Sequence, residues 1–580
     1  MTNALFLASQ ILVGLTGYGD SPHLAEIVDG GMGNLYVQWS RAANLLPGES
    51  KILDDELLAR AKGRGVRVMT IYGNQNGATT KRLRETWGDL YLGNNIGEYA
   101  GFLYQDKNSF LKGWPESHDL REAHDWLVGE MLAGPRKAQR ARPEDEREPC
   151  LFSTSGSPLA CYELEGGLDI ICNEMFAVGC GDLAYAASEA RGAARRHGRP
   201  AWTAWLAHEW QTCWRKLPYG VAQKQDSLEV GLKELWIMGA SMLVLESGSQ
   251  GTQAHDYTPP DGECPPDTKT PPQGHEGPIA AAYRGTMKAF YEWTLANPRA
   301  AGQPVAETAL LLGNYDGYVG MTYPSFAIFG QHHIAATNAH WRCAAPERTW
   351  EAVMGTFFPH PGDALAPFSN GWLGGTPHGQ PDVMNIDDNI TLEQLSRYKA
   401  VAFGGWNTMT PEIAEVLRQY VAGGGQVALC VPQLSGRIDR EFEGLVADDL
   451  VQAVPGVELR GPGDAVLGEG VTTEVELDGR PYVVRAPHGK GAYWLCLDWA
   501  YPAADVTRRE AWCGFLARLM DSVPRRMEVA GDDLRYVNWA VYPDGTAYFL
   551  NTDCVRGRSV TIDGVKTDFA PKEFKVLRAK

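Results

Sequence analysis

Between residues 11 and 248 the chain passes eight times through the same alternation: a short run rich in β-branched and other apolar residues, then a segment of helical periodicity. The short runs are ILVGLTG (11–17), NLYVQWS (34–40), VRVMTIYG (66–73), LYLGNNIGE (90–98), CLFSTSG (150–156), LDIICNEMF (168–176), AWTAWLAHE (201–209) and MLVLESG (242–248). Strands separated by helices cannot pair as hairpins, so they are expected to lie parallel with helical crossovers. One of the intervening segments, LDDELLARAKGRG, sets Leu57, Leu58 and Ala61 on one face and places Gly65 to end the helix. Eight such units predict a closed (β/α)8 TIM barrel over residues 1–305. In that architecture every strand points its C-terminal end at one mouth, where reactive residues lie.

At 580 residues the chain is too long for one core. A second α/β region is expected over 306–525, clearest in YKAVAFGGWNTMTPEIAEVLRQYVAGGGQVALCVP. There Thr410 is placed as an N-cap and Pro411 as the first helical residue. Ile413, Val416, Leu417, Tyr420 and Val421 form a helical stripe that Gly423 stops. Residues 526–580 read as a small all-β domain, with LRYVNWAVYPDGTAYFLN a hairpin turned at Pro543, Asp544 and Gly545.

Composition narrows the function. A formal net charge of −18 with no block of Lys and Arg argues against a nucleic-acid or anionic-membrane surface, and no run approaches the ~20 apolar residues of a membrane span. The eleven cysteines are scattered singly with no C-x-x-C pair, which disfavours a disulfide framework and a structural zinc site. The first twenty residues lack a positive leader and read as a strand. Cytoplasmic residence is expected, the alternative being an exported chain whose signal peptide has been removed.

Four glutamates end predicted strands four, six, seven and eight: Glu98, Glu174, Glu209 and Glu246. Cleaving a glycosidic bond takes one carboxylic acid to protonate the leaving oxygen and a second carboxylate to meet the oxocarbenium-like centre. Glu209 sits in AWTAWLAHEWQTCW, beside His208 and among tryptophans. The C–H face of a sugar packs on an indole plane, so Trp39, Trp205, Trp210 and Trp214 are candidate sugar contacts, with His208 beside them.

The order of these segments resembles the family 42 glycoside hydrolases, clan A barrels of the β-galactosidase type. NLYVQWSRAANLLPGE and LDDELLARAKGRGVRVMTIYG are similar to that family's second strand, following helix and third strand. LYLGNNIGEYAG resembles the fourth strand, which ends in the acid/base, so the resemblance gives Glu98 that role. AWTAWLAHEWQTCW resembles the seventh, which ends in the nucleophile, so Glu209 takes the other. The likeness extends to an amidotransferase-like middle domain and a C-terminal β domain. By analogy alone, the middle domain implies a homo-oligomer, with a trimer as the form to test. Three positions depart from the pattern. Gly97 precedes Glu98 where clan A usually has asparagine, which passes contact with the sugar 2-hydroxyl to Asn94 or Asn95. Glu246 stands where strand eight usually carries an aromatic and arginine, and Glu174 is an addition on strand six. Glu174 and Glu246 are therefore expected to line the pocket, raising their neighbours' pKa values or holding a cationic group.

Other motifs read as structure. HEW at 208–210 lacks a second histidine at 212, where a zinc protease needs one. Cys430 lacks the G-x-C-x-G elbow of an amidotransferase nucleophile and reads as a core cysteine. AGGGQV (422–427) is a helix stop before a strand rather than a dinucleotide loop. Gly248–Pro278 is a Pro/Gly-rich segment that reads either as a wall of the rim, with His255, Asp256 and Tyr257 within reach of substrate, or as a solvated loop. The resulting expectation is a glycoside hydrolase with a carbohydrate substrate and no metal or cofactor, retaining configuration through a glycosyl-enzyme. The alternatives are an inverting or transglycosylating enzyme using Glu174 or Glu246, and a catalytically silent glycan-binding scaffold.

Overall fold

The structure is a computed structural model that describes residues 11–72, 76–97, 120–155, 159–175, 183–207, 221–246, 278–316, 344–359, 373–439 and 443–579. Strands β1 (Leu12–Tyr18), β2 (Leu35–Trp39), β3 (Arg67–Ile71), β4 (Tyr91–Asn95), β5 (Leu151–Ser155), β6 (Ile170–Met175), β7 (Thr203–Leu206) and β8 (Met242–Leu245) close into one barrel. All neighbours run parallel, β8 pairing back onto β1 through Leu12–Met242 and Leu15–Leu245. This is the TIM barrel read from the alternation, with each strand inside its expected run except that β1 extends one residue further.

Strand alternation sorts the barrel into two layers. Leu12, Leu35, Val37, Met69, Ile71, Leu92, Phe152, Ile170, Cys172, Trp205, Met242 and Val244 fill the interior. Their neighbours Val13, Leu15, Tyr36, Val68, Tyr91, Ile171, Ala204 and Leu243 face outward and pack beneath the helices. One helix shows how local chemistry sets the ends. Asp55–Gly63 starts where the Asp54 carboxylate accepts from Leu57 N at 2.7 Å, and it buries Leu57 and Ala61. Gly65 follows at φ +67, a conformation open to glycine.

β4 breaks the simple alternation. Its register against β3 shifts from Val68–Tyr91 to Met69–Gly93, one extra residue. Gly93 sits at φ +126, and a Cβ there would lie 2.1 Å from the Cys150 carbonyl oxygen, so only glycine fits this bulge. The consequence is a change of face: Asn94 pairs with outward Thr70, and Asn95 with inward Ile71.

Beyond the barrel, β9 (Thr308–Gly313), β10 (Asp382–Ile386), β11 (Ala400–Phe403) and β12 (Gln426–Cys430) form a parallel sheet in the order β10-β9-β11-β12. The sheet continues past a separate hairpin, β13 (Val457–Gly461) with β14 (Asp464–Leu467), into antiparallel β15 (Thr472–Leu477) and β16 (Arg480–His488), which reach β12 through β17 (Gly491–Cys496). The helix Pro411–Gly423 is capped by Thr410 Oγ1, which accepts from Ile413 N. Gly423 is its last residue, and the stop falls at Gly424, φ +121. The remaining strands make two three-stranded sheets. One comprises β18 (Val529–Ala530), β21 (Arg558–Ile562) and β22 (Val565–Phe569), the other β19 (Val537–Val541), β20 (Thr546–Asn551) and β23 (Phe574–Arg578). Val529, Trp539, Phe549, Val560 and Phe569 join across the two sheets, as a sandwich requires. The β19–β20 hairpin turns at Pro543, Asp544 and Gly545, with Asp544 Oδ1 accepting from Thr546 N.

The parallel sheet is joined to the barrel by a buried polar seam. Arg191, on the helix Leu183–Arg196, donates through Nε to Asp382 Oδ1 at 2.6 Å, and both side chains are 0% exposed. Arg195 bonds the other carboxylate oxygen at 2.5 Å, and the Tyr398 hydroxyl donates to that same oxygen at 2.7 Å. Burial opposes charge on Asp382, but the two arginines outweigh it and hold its carboxyl below the ordinary aspartate value. Among the described residues no helix is long and apolar enough to cross a membrane.

Candidate active site at the barrel mouth

Because all eight strands are parallel, their C-terminal ends share one mouth. Glu174 is paired with Trp205, an interior residue, and therefore points inward. Burial pushes the thiol of Cys172, two residues deeper, up to about 12, with the Glu174 charge adding to the shift. On β8, Val244 is interior and level with Trp205, so Glu246 is the next inward position toward the mouth. Glu246 is 3% exposed, and its backbone N–H donates to the Leu206 carbonyl. The structure thus brings these two carboxylates to the same end of the barrel, on strands flanking β7.

The aromatic lining is continuous across β7, β2 and β3. Trp205 is 1% exposed and lies 6.3 Å from Trp39, ring to ring, so it backs Trp39 instead of offering a face of its own. Trp39 is half-buried and meets Tyr72 edge to face at 5.1 Å and 61°.

The two asparagines part company at the β4 bulge. Asn94 turns to the helix side, where its amide oxygen accepts from Thr70 Oγ1 at 2.8 Å beside Tyr91, whose hydroxyl donates to Glu148. Asn94 therefore stands away from the mouth. Asn95 faces in, donates to Thr154 Oγ1 at 2.6 Å, and accepts at 2.8 Å from the backbone N–H of Gly97, two residues on. The Gly97 carbonyl in turn accepts from Thr154 N at 3.0 Å. Gly97 is held at both its N–H and its C=O, and it is the last described residue before Glu98.

Glu98, His208, Glu209, Trp210 and Trp214 lie outside the described residues, as do residues 248–277 and with them His255, Asp256 and Tyr257. Chain continuity bears on two of them: Glu98 follows Gly97 directly, and Glu209 comes two residues after Ala207, which continues β7 by donating to the Met175 carbonyl. Sequence reasoning passed over Tyr72 and Thr154. The glycine before Glu98 was visible, but nothing in the string showed that Tyr72 would lie against it. In the second sheet Cys430 is buried, and desolvation raises its thiol well above the usual value, so no amidotransferase nucleophile is presented there.

No family model matches the sequence, and no curated protein matches it either. Solved structures do match, over the whole chain. Gan42B, a GH42 β-galactosidase from G. stearothermophilus, is 11% identical with 98% of each chain covered and a TM-score of 0.59. The β-galactosidase of the Antarctic haloarchaeon Halorubrum lacusprofundi is 13% identical over 98% of this chain and 99% of that one, TM-score 0.55. The β-galactosidase from Bacillus circulans sp. alkalophilus is 10% identical over 100% of both, TM-score 0.54. From the first barrel strand to the closing β-sandwich, the chain has the fold of the GH42 β-galactosidases.

Proposed function

We propose that this protein is a glycoside hydrolase, with Glu98 as acid/base and Glu209 as nucleophile in a retaining reaction through a glycosyl-enzyme. The observation that carries the reading is that β4 and β7 open on one aromatic-lined mouth of a barrel whose fold matches glycosidases end to end. Along the chain each glutamate comes three residues after the end of its strand, Asn95 of β4 for Glu98 and Leu206 of β7 for Glu209. In this reading Glu98 protonates the departing glycosidic oxygen while Glu209 attacks the anomeric carbon. Glu98 then deprotonates the water that releases the sugar. Trp39 supplies a stacking face, and Asn95 holds the backbone that leads into Glu98.

The described inward strand ends carry Glu174 and Glu246 and neither Lys nor Arg, which favours a neutral or amino sugar over a uronate or sulfated one. The neighbours' activity makes aryl β-galactosides the first substrates to try. Turnover of an aryl glycoside panel, with product anomers read by NMR, tests the reading. Glu98→Gln and Glu209→Gln should each lower kcat by orders of magnitude, and near-normal turnover in either rejects the assignment. The inward setting of Glu174 and Glu246 favours a second reading, in which one of them belongs to the working pair; loss of turnover in Glu174→Gln or Glu246→Gln with Glu98→Gln active would establish it. Binding of glycans without product would mark a scaffold. The division at 305 and 525, and self-association through the middle region, complete the proposal.

A further inference from the structure

Two residues at the mouth adopt backbone conformations that their side chains disfavour. Ser40, just after Trp39, has φ +55, and Tyr72, just after Ile71, has φ +52. Of the other described non-glycine residues with positive φ, Asp478 and Asp563 each precede a glycine in hairpin turns, where aspartate tolerates the left-handed region. Lys572 lies in a turn, and Tyr501 is a fully buried ring outside the barrel, so Tyr72 is the aromatic one among them that stands at the mouth and is only half-buried. An aromatic side chain in that region is a strained outlier, and such strain persists where surrounding structure enforces it, most often at functional sites.

The surroundings of Tyr72 show what enforces it. Its N–H still donates to the Asn95 carbonyl at 3.2 Å, extending the β3–β4 ladder, while the positive φ swings the ring out of the barrel alternation. The ring then lies across Gly97: a Cβ on residue 97 would stand 1.8 Å from Cε1 and Cζ and 2.3 Å from the hydroxyl oxygen. It also meets the Trp39 indole, at 61°. Both rings are only half-buried. Buried Trp205 supports Trp39 from below, and the Asn95 and Thr154 hydrogen bonds fix Gly97 behind Tyr72. The result is a partly open aromatic corner with two rigid backings.

We propose that Tyr72 is a specificity-determining residue of the sugar site, forming with Trp39 a corner that receives the C–H face of a neutral hexopyranose. This rests on the carbohydrate reading above. A pyranose presents C–H bonds on one face and hydroxyls at its edge; the indole packs on the face, and the phenol ring closes one side and limits which ring edges fit.

The experiment pairs kinetics with stability. With wild-type protein and p-nitrophenyl glycosides of galactose, glucose, mannose and fucose, KM, kcat and Tm are measured for Tyr72→Phe, Tyr72→Ala and Tyr72→Asn, together with tryptophan fluorescence on titration of the free monosaccharides. Phe keeps the ring and should stay within about threefold of wild type in KM. Ala should raise KM about tenfold with little change in kcat and should narrow the difference between sugars, a loss of about 1.4 kcal/mol in binding. Asn, which accepts the left-handed region, should weaken binding by a similar factor while leaving Tm unchanged or raising it, because the strain goes with the ring. A purely structural tyrosine would give the reverse, a lowered Tm with KM and sugar ranking intact, and that overturns the proposal. Unaltered KM and ranking in all three variants overturns it with the glycosidase reading intact. Wild-type protein that neither turns over nor binds any of the sugars overturns both.

Discussion

The phenol ring of Tyr72 occupies the space that a side chain on Gly97 would need, with ring carbons 1.8 Å from the position of the missing Cβ. Tyrosine at 72 and glycine at 97 are therefore a matched pair, one on each of two adjacent barrel strands' C-terminal extensions. Glycine in front of Glu98 follows from the neighbour's ring and from φ +78 at that position.

Gly97→Ala should consequently destabilise the fold by about 1–3 kcal/mol, from the forbidden φ and the clash together. Combining it with Tyr72→Ala should return the clash part, so the double variant is more stable than the sum of the singles predicts. Denaturant unfolding of the four proteins measures the coupling; strict additivity would show that the two side chains do not compete for space.

The seam between barrel and second sheet gives a second expectation. Asp382→Asn removes the charge that buried Arg191 and partly buried Arg195 share, leaving Arg191 uncompensated at 0% exposure. Breaking a buried pair from one side costs about 3–5 kcal/mol. Replacing Arg191 and Asp382 together by Met and Leu should cost much less than Asp382→Asn alone, which thermal unfolding of both variants would reveal.

Two histidines near Glu165 should shape stability against pH in opposite senses. His124 Nε2 lies 3.1 Å from Glu165 and Nδ1 3.0 Å from Asp125, with the Tyr315 ring edge-on at 5.1 Å and Arg121 over that ring. Burial works against its proton, but the Glu165 and Asp125 carboxylates outweigh that, so its pKa lies above 6.5 in the fold. The stability it contributes is full below pH 6.5 and is lost as pH rises through the raised value. His197 is pushed down to about 4 by burial, with Arg196 adding to the shift. Between pH 6.5 and 4 the unfolded chain binds a proton that the folded one refuses, so stability falls as the solution is acidified. A Tm maximum near pH 6.5 is expected, with His124→Gln flattening the alkaline limb and His197→Gln the acid limb. Parallel limbs in wild type and both variants would refute it.

The barrel was legible because its signal is repeated: eight apolar runs at crossover spacing admit few other closures, and in the second sheet a cap such as Thr410 is chemically local. The candidate site was legible only in part. Glu174 and Glu246 could be placed inward by counting along strands. The same count sends Asn94 inward as well, and the bulge at Gly93 reverses it. A glycine that admits a bulge and one that merely weakens a strand look alike in the string. Tyr72 was missed for a related reason: its importance lies in a backbone angle and in a neighbour 25 positions away, neither of which leaves a periodic trace. The Arg191–Asp382 pairing spans 191 positions and was equally invisible.

The helix Leu183–Arg196 fills two roles at once, since one side closes the barrel layer while Arg191, Arg195 and Arg196 reach Asp382 and Asp387 in the neighbouring sheet, and a Cβ on Gly192 would strike the Val383 carbonyl at 2.1 Å. Such a helix makes the barrel a poor unit for transplantation. Cut free at residue 305, it would present three guanidinium groups and a stripped backbone groove to water. Engineering that exchanges loops within the whole chain therefore has a sounder footing than engineering that treats the barrel as a detachable module.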